Sequence, residues 1–126
     1  MKSYGKTDEN FKGQGDNTGE CYIPLDFNTV APLLQRKPIN SFTICEDSLL
    51  KLFDILKTQL SDSDKNKDLL VLMRIKKSID MDSEKASKIG WEISNLMDKE
   101  SLVVWAAQEY DTNRFDFYFY DSVVNS

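Results

Sequence analysis

The sequence predicts an α/β fold: a two-layer sandwich with a mixed four-stranded sheet, two long helices on one face and a short N-terminal helix. Three patterns carry that expectation. Between Asp68 and Lys76, Leu69, Val71, Met73 and Ile75 alternate with Leu70, Leu72 and Arg74, so apolar side chains emerge on both faces of one strand and mark it as central. Leu49, Leu52, Phe53, Leu56 and Leu60, and later Ala86, Ile89, Gly90, Ile93 and Met97, recur at spacings of three and four, as on two helices with one apolar stripe each. Phe115, Phe117 and Phe119 alternate with Asp116, Tyr118 and Tyr120, which turns an all-Phe face toward the helices.

A chain of 126 residues fits one domain that buries a core without disulfides or metal. Hydrophobic residues at 40% and charged residues at 29% exclude a wholly disordered chain. The net charge is −5, and the local basic groupings are Arg36-Lys37 and Arg74, Lys76, Lys77, which argues against nucleic acid as a partner. The chain has no His, and Cys21 and Cys45 lack CxxC spacing, so no zinc ligand set can be assembled. No apolar run approaches a membrane span and no charged-then-apolar leader opens the chain; a reducing cytoplasm with two free thiols is the expected setting. Cys45, next to Ile44 on a strand, reads as a small buried apolar residue.

Residues 1–20 hold four of the five glycines and only Tyr4 and Phe11 as bulky aromatics, and are expected to form a flexible tail. Gly13-Gln14-Gly15 does not make a phosphate loop, since no strand precedes it and no GK[ST] follows. The folded domain is expected over 21–122, with a short tail over 123–126. Order begins at Cys21 to Leu25. Asn28 or Thr29 then caps a short helix with Val30, Leu33 and Leu34 inward; Pro32 suits only a first turn, which places the helix start near Thr29. Pro38 stops it. Ile39 to Cys45 alternates as a half-buried strand, and Glu46, Asp47 and Ser48 supply acidic and capping groups for the helix that runs to about Leu60.

Ser61 to Asp68 is a polar connection. The second long helix spans Asp82 to Met97, with Asp80 and Asp82 at its start. Gly90 sits on its apolar stripe, where close helix–sheet approach accounts for a helix penalty of about 1 kcal/mol. Leu102 to Tyr110 is a further strand, apolar through Ala107, and Asp111-Thr112-Asn113-Arg114 reads as a hairpin loop into Phe115 to Tyr120.

The order of these elements and several motifs resemble the C-terminal domain of the FtsZ family of tubulin-like GTPases. Ile79-Asp80-Met81-Asp82-Ser83-Glu84-Lys85-Ala86 is similar to that family's D-L-[TS]-L-x-E-[AV] stretch, and Val103-Val104-Trp105-Ala106-Ala107-Gln108 to its I-I-F-G-A strand. The strand of Phe and Tyr residues that follows resembles the family's closing V-R-V-T-V-I strand. Pro24-Leu25-Asp26-Phe27-Asn28-Thr29-Val30 resembles its N-x-D-F-x-D-V loop, which completes a GTPase site on a neighbouring subunit. Asp26 and Phe27 match that loop. Pro24 and Thr29 replace its Asn and second Asp, so water activation there is impaired. The family's nucleotide-binding half has no counterpart here, and the Gly-rich segment after its first strand is reduced to Glu46-Asp47-Ser48. The resemblance therefore implies no nucleotide bound or hydrolysed by this chain alone.

No catalytic residues, cofactor or metal are expected. Without His, and with no base near either Cys in sequence, nucleophilic catalysis has no support, and Asp80 and Asp82 serve as helix N-terminal charges. The residues singled out for partner binding are Asp26, Phe27, Leu70, Leu72, Arg74, Tyr118 and Tyr120. The first two carry the family loop, although Asp26 equally fits a turn or helix cap. The others would line the sheet face opposite the helices, as an aromatic, Arg-containing contact surface. The expected function is a non-enzymatic assembly or adaptor protein that docks on a tubulin-like filament or self-associates. The alternative is a small acidic immunity protein that neutralises a basic partner.

Overall fold

The computed structural model describes residues 21–121, so the expected tails over 1–20 and 123–126 lie outside the described residues. The elements run β1 (Cys21–Ile23), α1 (Phe27–Leu34), β2 (Asn40–Cys45), α2 (Leu49–Gln59), β3 (Asp68–Lys76), α3 (Ser83–Ser94), β4 (Val103–Tyr110) and β5 (Arg114–Tyr120). Among the described residues they form one mixed sheet in the order β1-β4-β3-β5-β2. The fold is α/β as expected, but the sheet has five strands where the sequence predicts four. The added strand is β1, three residues antiparallel to β4 with an irregular register, too short to show a period of its own.

β3 is central, parallel to β4 and antiparallel to β5. β5 in turn pairs antiparallel with β2. β2, β3 and β4 therefore end at the same edge of the sheet. The expected hairpin between the last two strands does not form, because β3 lies between β4 and β5. The residues Asp111, Thr112 and Asn113 instead cross over the end of β3. Burial explains the preference: Leu69 to Met73 are all essentially inaccessible, so β3 needs a neighbour on each side and cover on both faces.

Each face of the sheet has its own core. On one face α2 and α3 cover Leu69, Val71, Met73 and Ile75 of β3 together with Phe115, Phe117 and Phe119 of β5. Phe42 of β2 extends this row, its ring 5.2 Å from that of Phe117 and 5.5 Å from that of Phe119. On the other face Val30 and Leu33 of α1 join Leu25, Leu70, Leu72, Val104, Ala106 and Tyr120. The short helix thus roofs the face that a two-layer arrangement would leave open.

Two local expectations are corrected. The N-cap of α1 is Asp26, whose carboxylate accepts the Asn28 N–H at 3.0 Å, so the helix begins before Thr29 and Pro32 lies inside it. Cys45 is exposed, because it ends the edge strand on the face opposite Ile44 and beyond the reach of α1.

Ser48 and Asp82 cap α2 and α3 through bonds to the Lys51 and Lys85 N–H groups. Gly90 on α3 meets β4 where the expectation of close approach puts it: a Cβ there would fall inside the Trp105 indole. Trp91 completes the contact, edge-on to Trp105 with ring centroids 5.2 Å apart. The rigid indole is flanked by sheet and helix, so an added methyl meets a group that cannot swing away. Gly90→Ala is expected to lose about 1–3 kcal/mol to overpacking, more than the ~1 kcal/mol of helix propensity that it gains. Urea unfolding followed by tryptophan fluorescence measures this, and a stabilised variant would overturn the packing account.

Candidate functional site

The loops that follow β2, β3 and β4 meet at one end of the sheet, and Asn113 ties them together. Its side-chain oxygen accepts the Lys76 N–H at 2.8 Å, and its amide NH2 donates to the Asp47 carbonyl at 2.9 Å. Its own carbonyl accepts the Glu46 N–H at 3.1 Å. One residue on, the Lys77 N–H donates to the Tyr110 carbonyl at 3.1 Å. Asn113 itself is buried, so its side-chain amide depends on these protein partners.

Outside this clamp the Thr112 hydroxyl donates to the Asp47 carboxylate, and the Lys76 ammonium lies 3.7 Å from the same group. The hydroxyl bond first, and the Lys76 charge second, hold the Asp47 carboxyl below its ordinary value of 3.8. The clamp borders an open pocket of about 290 Å³, floored by Leu49, Ile75 and Met81 and edged by Lys76, Lys77 and Ser78. Ile79, at the tip of the β3–α3 loop, is 89% exposed. The segments at this end carry Glu46 and Asp47 after β2, Asp80 and Asp82 after β3, Glu84 in the first turn of α3, and Glu109 and Asp111 at and after the end of β4, with Lys76, Lys77 and Lys85 among them.

The residues singled out from sequence fall elsewhere, on and around α1. Leu70, Leu72 and Tyr120 are buried beneath that helix and do not present a surface. Tyr118 is half-buried against the same cluster. Arg74 is not an exposed contact residue either: it pairs with Asp116 at 3.1 Å in a largely buried ion pair and lies 5.6 Å from the centre of the Tyr110 ring. The Asp116 carboxylate also accepts the Thr43 hydroxyl and has the Arg114 Nε at 3.6 Å. Asp26 serves as the α1 cap, and Phe27 beside it is 45% exposed.

In the sequence Thr112 and Asn113 read as part of an ordinary turn and Asp47 as part of a helix start. The usable signal was the Asn at the end of a three-residue loop, since its side chain can stand in for a strand's backbone partner. Among the described residues no three His, Cys, Asp or Glu side chains gather as metal ligands, and no helix is long and apolar enough to cross a membrane. Comparison with protein-family models, with curated proteins and with solved structures finds no match to this chain.

Two predictions follow from this geometry. Asn113→Ala leaves the Lys76 N–H without its acceptor at the end of a buried strand, and should lower the unfolding free energy in urea by about 1–3 kcal/mol. Asp47 has a folded pKa below its unfolded one, so its contribution is complete above 3.8 and is lost as pH falls through the folded value. The stability difference between wild type and Asp47→Asn should therefore be constant near neutral pH and close below 3.8. A difference that grows on acidification would contradict the assignment.

Proposed function

We propose that this chain is a non-enzymatic protein-binding domain, an assembly or adaptor component. The observation that carries the reading is the loop end: an open pocket floored by Leu49, Ile75 and Met81 and edged by Asp47, Lys76 and Lys77, with Ile79 exposed on the adjoining loop, an apolar centre within a charged rim as in a protein-docking patch. The groups that would have to do chemistry elsewhere are engaged in structure, with Arg74 and Asp116 paired and Asp26 and Asp82 capping helices. The motif resemblance makes a tubulin-like filament of the FtsZ family the first partner to test. In that setting the exposed Phe27 at the start of α1 is a second contact.

The net charge of −5 favours one other reading, a small immunity-type protein that neutralises a basic partner. Opposite charge across such a contact accelerates encounter and weakens with salt.

Co-sedimentation with FtsZ-family filaments separates the two. Under the first reading the chain pellets with filaments or alters their assembly, and Ile79→Asp reduces that effect about tenfold or more, as for loss of a central apolar contact. Absence of both pelleting and any change in assembly would remove this partner. Capture of a basic protein that is lost on Asp80→Lys with Asp111→Lys would then support the neutralising role.

A further inference from the structure

We propose that the free edge of β2 pairs with β2 of a second copy of this chain, joining two sheets into one across a two-fold axis. β2 runs in continuous register with β5 over six residues, yet has no strand on its other side among the described residues. The Glu46 N–H is bonded to Asn113 across that ladder, and the alternation of an antiparallel pair then turns the N–H and C=O groups of Ser41, Thr43 and Cys45 outward. Such an edge is commonly blunted by charge, Pro or a bulge. Asn40-Ser41-Phe42-Thr43-Ile44-Cys45 has none of these.

Charge identifies the occupant. Antiparallel self-pairing centred on Phe42 sets Ser41 opposite Thr43 of the other copy and brings Lys37, which precedes the strand, to the end where Glu46 and Asp47 follow it in the other copy. The basic flank before β2 thereby meets the acidic flank after it, twice in each dimer, while no like charges face each other within the paired run. Phe42, half-buried at the outer end of the Phe row, meets Phe42 of the other copy and continues the apolar layer across the axis. This contact shares Asp47 with the loop end, whereas the pairing of Ser41 with Thr43 lies wholly on the sheet edge.

The test uses the full chain with Cys21→Ser and Cys45→Ser, carrying either Ser41→Cys or Thr43→Cys. Sedimentation velocity should show a reversible dimer. Under copper-catalysed air oxidation, an equimolar mixture of the two variants should give a disulfide-linked dimer and neither variant alone should, because residue 41 faces residue 43 and not itself. In the otherwise native chain, Lys37→Glu sets like charges opposite each other and should weaken dimerisation about tenfold, with Asp47→Lys in a mixed sample restoring it. A monomer at every concentration, or self-linking of either single-Cys variant as efficient as the mixture, would overturn the proposal.

Discussion

The bond from the Lys76 N–H to the Asn113 side chain stands where the fold is most constrained, at the exit of its central strand. Because β4 and β5 flank β3, the loop between them must pass over that exit, and this loop and the end of β4 supply acceptors for the last backbone donors, those of Lys76 and Lys77. Asn113 answers this with a side chain that mimics a peptide, and Tyr110 with a carbonyl. The same residue takes hold of Asp47 and Glu46, so the loops after β2, β3 and β4 are fixed as a unit. The loop end has a defined shape for this reason, although each of its loops is short.

On the opposite face the constraint is electrostatic. Asp116 is buried beside Arg74, Arg114 and Thr43, which offset the cost of removing a carboxylate from water. Its neighbours in the chain, Phe115 and Phe117, point into the other core. A slip of one residue in β5 would drive Asp116 among the phenylalanines and turn the phenylalanines toward the arginines. The ion pair is therefore better understood as fixing register than as adding much stability. α1 then closes the remainder of this face over Leu70, Leu72 and Tyr120, with Arg36 reaching Asp68 at 3.7 Å and stacked over Tyr120.

Much of this was legible in the sequence because periodicity reports which face a residue occupies. The inward sets of β3, β5, α2 and α3 follow from alternation and from three-four spacing, and Gly90 was placed against the sheet by its position on an apolar stripe. Periodicity does not report which strand lies beside which. A three-residue loop reads the same whether it joins neighbours or steps over a strand, so the insertion of β3 between β4 and β5 was hidden. It is also silent about where a short helix goes: eight residues with three inward apolar side chains do not reveal that they roof the face carrying Leu70 and Tyr120. The loop end escaped notice for a related reason. Its determinant is a side chain imitating backbone, and the Asn that closes Asp111-Thr112-Asn113 signals that capacity without showing which strand it serves.

The strand order also bears on how the chain reaches its native state. β2 is made early, yet its neighbour in the sheet among the described residues is β5, which is made after β3 and β4. β3, the most apolar strand, gains both of its partners after it has been made. During vectorial synthesis the first half of the sheet therefore stays open until Tyr120 is available, and contacts of high sequence separation close it in one late step. A chain cut short before β5 would lose more than one strand, since β2 would have nothing to pair with and β3 would be bare along one side.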